Sequence, residues 1–236
     1  RIYNRALSAG EVTSLANGNQ ATGSGVYTLG TPLTVHGNLG LYDSTLDVSA
    51  SGYAINLSGS WINHGGFTKR SGTVTLDGSG QTLSGNTVFN NLTKTSGGTD
   101  TLYFDFTARQ SVSGALTLNG VASNLLSLRS TKTGSAANLM LDGSAGTQSL
   151  TYLDVKDSDA SGGATLNAND GTSTNSNNNT NWVFPVDITG TVYNDEGVTI
   201  LANRTVAISV NGEAANATAE TNAGGQFTFT SASGVT

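Results

Sequence analysis

The chain contains no cysteine. Disulfides therefore do not hold it together, and a thiolate metal site or a cysteine nucleophile is excluded. Proline occurs twice, histidine twice and methionine once in 236 residues. Charged residues are 11 % of the chain, against a usual ~25 %, which would be unusual for a cytosolic enzyme. Hydrophobic residues are also scarce, at 36 % against ~45–50 %. No apolar run is long enough to span a bilayer, so no membrane insertion is expected in this segment. The net charge is −6, the pI is about 4.6, and no basic patch with interleaved aromatics occurs. Nucleic acid is excluded as a partner on that ground.

Glycine (31 residues), serine, threonine and asparagine fill the gap. Disordered chains carry high net charge and few β-branched residues. Here Val, Ile, Leu and Thr recur in short runs such as Leu33-Thr34-Val35, Ile55-Asn56-Leu57, Val74-Thr75-Leu76, Leu116-Thr117-Leu118 and Leu153-Asp154-Val155. Each alternates apolar with polar residues, the period of a half-buried strand. One phrase also returns: Leu76-Asp77-Gly78-Ser79 leads to Gln81-Thr82-Leu83, and Leu141-Asp142-Gly143-Ser144 leads to Gln148-Ser149-Leu150. The offset of 65 residues equals three coils of roughly 21–22 residues, a solenoid period. Residues 20–185 are therefore read as a parallel β-helix-like repeat domain, with Leu76 and Leu141 at the same corner of coils three apart. Residues 1–19 include a short helix, with Ser8 as N-cap and Glu11 completing a capping box. Residues 186–236 alternate again around Ile188, Val206 and Phe227, but fall short of the ~100 residues of a full immunoglobulin-type sandwich. The expected fold is all-β: a parallel β-helix-like solenoid followed by a partial β-sandwich, with one short N-terminal helix.

Three resemblances add to this reading. The phrase at Arg1 to Leu7, Ser8, Glu11 and Val12 resembles the closing segment of bacterial laminin-G-like (concanavalin-A-type) domains. It implies that a lectin-like domain precedes the chain, and carries over no binding site. Trp61, Asn63, Gly66-Phe67, Gly72 to Leu76, Gln81, Phe89 to Thr93, Val155 to Ser158 and Thr180 to Phe184 resemble repeat segments of large bacterial surface and secreted proteins. Those repeats imply a β-helical, non-catalytic surface module. The pattern from Gly190 through Val210 to Phe227 resembles carboxypeptidase-regulatory-like or other Ig-like modules. Arg1 opens inside a motif, so a slice of a longer exported protein is expected.

Few residue types that carry chemistry are present. Asp157-Ser158-Asp159-Ala160-Ser161-Gly162 resembles the start of a calcium loop, but Ala168 stands at the twelfth position where an acid belongs. Asp154 and Asp170 are the candidate replacements; the alternative is a polar turn. His36 and His64 have no acid at ligand spacing and are expected on surface or turns. Asp100, Asp105 and Arg109 form the densest charged group of the body, the composition a polysaccharide lyase or hydrolase would use. Trp61, Phe67, Tyr103 and Trp182 are candidates for stacking on sugar rings, or else plugs of the coil ends and turns. The function expected first is a non-enzymatic, adhesin-like structural module, extracellular or at the cell surface, monomeric and needing no cofactor. A carbohydrate-binding module acting through exposed aromatics, with glycans as partners, comes second, and a polysaccharide lyase or hydrolase third.

Overall fold

The computed structural model describes residues 25–209 and 217–232. The expected N-terminal helix and the laminin-G-like phrase lie outside the described residues. From Val26 onward the chain is a succession of short strands that return, coil after coil, to three stacked parallel sheets. The first face holds eight strands, from Val26–Thr28 through Trp61–Thr68 and Asp100–Phe104 to Thr174–Asn175. The second face holds five, among them Thr87–Phe89, Arg109–Val112 and Ala137–Leu141. The third holds six, from Leu33–Val35 through Thr73–Leu76, Asn91–Thr95 and Ala115–Asn119 to Thr147–Thr151. A complete coil visits first, second and third face in that order. This is a parallel β-solenoid, as the composition and alternation suggest.

Alternation decides which side chains enter. On the third face Val35 pairs with Leu57, Leu57 with Leu76, Leu76 with Lys94, Lys94 with Leu118 and Leu118 with Leu150. A second column beside it runs Leu33, Ile55, Val74, Leu92, Leu116. On the first face Leu39, Trp61, Leu83 and Phe104 align. These positions are buried or, at the first coil, half-buried, while the Thr, Ser and Asn between them face outward. An apolar content of 36 % suffices because the inward half of each strand meets like residues above and below.

The two copies of Leu-Asp-Gly-Ser do not occupy one corner. Leu76 ends a third-face strand, and its phrase turns the chain onto the first face. Leu141 ends a second-face strand, and its phrase turns toward the third. Leu141 stacks instead on Val112, which stacks on Phe89. Both leucines point inward, as expected, but from different walls. The two corners also pack differently. A Cβ on Gly78 would lie 1.8 Å from the Ser58 carbonyl oxygen, so that corner presses on the coil before it. A Cβ on Gly143 would meet nothing closer than Ala164 at 3.9 Å. Coil length varies as well. Leu39 to Trp61 and Trp61 to Leu83 are steps of 22 residues, whereas Leu102 to Leu128 is 26 and Leu128 to Val155 is 27.

Parallel pairing ends with the strand Trp182–Val183, which joins Leu166–Asn167. From Val186 onward the strands pair antiparallel: Val186–Thr191 pairs with Gln226–Ala232, and Thr205–Ile208 with Ala217–Glu220. Phe229 is buried there, its ring centroid 5.6 Å from that of Phe227.

Because Leu118 lies between two coils, Leu118→Ala opens a cavity in the column and is expected to cost about 2–5 kcal/mol. The outward neighbour Thr117→Ala is expected to stay within about 0.5 kcal/mol. Equilibrium denaturation of the two variants checks the assigned register.

Candidate functional site

Lys94 interrupts the third-face column of leucines, and its side chain is 1 % exposed. A cation there needs a full set of partners, since unpaired burial of charge is expensive. It has them. Its ammonium is 2.6 Å from the Asp100 carboxylate and donates to Gln81 Oε1 at 2.9 Å and to the Gly78 carbonyl. Gln81 is itself buried and donates through Nε2 to the carbonyls of Leu57 and Gly59 at 2.8 and 2.7 Å. Asp100 accepts from the amides of Gly80 and Thr101. Burial alone would raise the Asp100 carboxyl, but Lys94 and these amides together hold it below its ordinary value. The network links consecutive coils and closes the corner after Leu76.

Asp100, Asp105 and Arg109 are not brought together. Asp100 turns inward to Lys94. Asp105 caps the next corner, accepting from the Thr107 amide at 2.9 Å and the Thr107 hydroxyl at 2.7 Å. Burial pushes its carboxyl up, while Thr107, the Gly85 amide and the nearby His64 outweigh this and take it below the usual range. Arg109 stands exposed on the second face. His36 and His64 are both exposed, His64 beside the Tyr42 ring at 5.5 Å.

The four expected calcium ligands likewise have separate duties. Asp154 pairs with Arg129. Asp157, at φ +58°, accepts from the Gly134 amide and the Asn178 side chain, the latter chiefly holding its carboxyl low. Asp159 accepts from the Ser161 amide, and Asp170 from Thr172 and Ser173. Among the described residues no group of three or more His, Asp or Glu side chains is gathered for a metal ion.

The aromatic candidates divide. Trp61, considered above as a surface platform for sugars, is corrected to a core residue: it is 0 % exposed, and its indole N–H donates to Thr87 Oγ1 at 3.0 Å. Phe67 stands edge-on to it at 4.8 Å, with Phe89 at 5.2 Å. Trp182 packs against the last coils, stacked on Phe184 and donating to Ser158 Oγ. Tyr103, on the outside of the first face, is 37 % exposed.

The sequence reading missed the buried network. Leu92-Thr93-Lys94 stands where Val74-Thr75-Leu76 and Leu116-Thr117-Leu118 stand in the neighbouring coils, and that substitution in the pattern was its signal. It also missed a groove on the second face, about 440 Å³ in volume, whose lining includes Asn86, Val88, Arg109, Ser111 and Asn138. No single one of these residues carries a motif; only the stacking collects them.

Among the described residues no helix is long and apolar enough to cross a membrane. No protein-family model, curated protein or solved structure matches the chain.

Lys94→Met leaves Asp100 buried without its cation and is expected to cost about 3–5 kcal/mol, with a substantial part regained when Asp100→Leu is added. Denaturation of both variants measures this. Stability also depends on pH. Asp100, Asp105, Asp157 and Asp170 are all held below the ordinary aspartate value of 3.8, so their folded forms bind protons more weakly than the unfolded chain does. Their contribution is complete above pH 3.8 and is lost as pH falls through the folded values. Thermal melts from pH 7 downward are expected to hold a plateau to about pH 4.5 and then decline.

Proposed function

We propose that the chain is a non-enzymatic, adhesin-like structural module of a multidomain protein that works outside the cell or on its surface. One observation carries the reading: Asp100, Asp105, Asp154, Asp157, Asp159 and Asp170 are each engaged by backbone amides, hydroxyls, an amide side chain or a cation of the coils. Glycoside cleavage by a carboxylate pair requires one acid held protonated near neutral pH. These carboxylates are spent on capping corners and joining coils. The eight first-face strands, stacked at ~4.8 Å, extend about 34 Å, a length suited to spacing neighbouring domains. The low charge, the absence of cysteine and the resemblances to surface repeats, laminin-G-like tails and Ig-like modules support the extracellular setting.

A second reading, sugar binding through exposed aromatics, draws on Tyr103 alone of the four candidates, the other three being buried or packed against the core.

The whole chain, incubated with neutral and acidic polysaccharides, is expected to release no reducing ends and no unsaturated products. Release that disappears in Asp105→Ala would overturn the proposal. Retardation in affinity gels that disappears in Tyr103→Ala would establish the second reading.

A further inference from the structure

The groove on the second face has chemistry of its own. Val88, Ser111 and Met140 align outward on three successive strands, and Arg109 aligns with Asn138. The groove thus runs along the solenoid axis, gathering one or two side chains per coil at the ~4.8 Å strand spacing. It is an open groove of about 440 Å³, shaped for a ligand that lies along the surface.

Several of its polar groups are unspent. Arg70, Lys94 and Arg129 each hold a carboxylate: Asp47, Asp100 and Asp154. Arg109 holds none among the described residues; neither do Lys69, Lys132, Lys156 and Arg204, but of these only Arg109 lines the groove. Its backbone is nevertheless fixed, because the Arg109 amide donates to Asn86 Oδ1 at 2.8 Å. That bond leaves the Asn86 Nδ2 group free to donate. The Ser111 hydroxyl and the Asn138 amide side chain also have no hydrogen-bond partner among the described residues, unlike the asparagines at 63, 91, 179 and 181, which bridge coils. Val88 adds an apolar floor, 50 % exposed.

We propose that this groove binds a carboxylated saccharide, a uronate-type unit within a glycan chain. The planar guanidinium of Arg109 matches a carboxylate with two parallel hydrogen bonds. Amide and hydroxyl side chains both donate and accept, as sugar hydroxyls do. Val88 covers the C–H face of a ring. A phosphate would call for several cations or converging backbone amides; one guanidinium among neutral donors suits a single carboxylate set in hydroxyls. The inference rests on the non-enzymatic reading in one respect: the carboxylate nearest in sequence, Asp105, is already engaged by Thr107, so the ligand is held and not cleaved.

Calorimetric titration of the whole chain tests this, with a galacturonate oligomer, its neutral galactose counterpart and inorganic phosphate as separate probes. The acidic oligomer is expected to bind, the other two at least about tenfold more weakly, the difference one charge-assisted contact makes. Arg109→Gln is expected to lower affinity for the acidic oligomer about tenfold or more with an unchanged melting temperature, and Arg109→Lys to restore only part of it. Asn138→Ala is expected to lower it several-fold. Equal affinity in Arg109→Gln, equal affinity for phosphate, or no heat with the acidic oligomer at millimolar concentration overturns the proposal. Shortening of the oligomer during titration would count against the non-enzymatic reading, while the Arg109 dependence of binding would still decide the groove.

Discussion

The constraint on which this protein depends is the contact between like positions in successive coils. A coil of about twenty residues has no inside of its own; its leucines, valines and isoleucines lose water only against the coils above and below. Backbone hydrogen bonds follow the same direction, as from Leu29 to Asp47 and from Leu166 to Asn181. Burial and hydrogen bonding therefore reward the same register, and shifting a strand by one residue would turn every inward side chain out.

Polar side chains serve that register too. Asn38, Ser60, Asn86, Asn91 and Asn179 each accept from a backbone amide one coil away, at the corners where strands end and the ladder would otherwise leave donors unpaired. The abundance of Asn and Ser is in this sense a structural composition: short side chains that reach one strand spacing and stop. Lys94 with Asp100 and Gln81 is the concentrated case, where a charge is tolerated inside because every partner is supplied by its own coil or the adjoining ones. Such a pair adds little over a well-packed apolar column, and its loss in part is far worse than its absence.

The all-β class and the solenoid were legible because alternation in Val74-Thr75-Leu76 or Leu116-Thr117-Leu118 is a local signal that needs no knowledge of neighbours. Corner identity was not. Leu-Asp-Gly-Ser describes a strand end followed by a turn, and any of the three corners accepts such a sequence; which one it takes depends on the residues counted around the whole coil. Trp61 failed as a surface candidate for a similar reason. Its Asn- and Gly-rich surroundings suggest exposure, but the parity of its strand places it with Leu39 and Leu83, facing in. The groove was illegible because its members lie in three coils and become neighbours only through stacking.

The unequal coil lengths have a consequence of their own. Between Leu102 and Leu128, or Leu128 and Val155, the chain spends four or five residues more than between Leu39 and Trp61, yet the paired strands remain in step. Residues added at a corner widen the outline and leave every later coil where it was. Residues added as a whole coil push everything beyond them one strand spacing further out, about 4.8 Å. The chain therefore has two independent measures of size, girth and reach. Variation at the corners reshapes the surface a ligand would meet, while the distance between the two ends is counted only in coils.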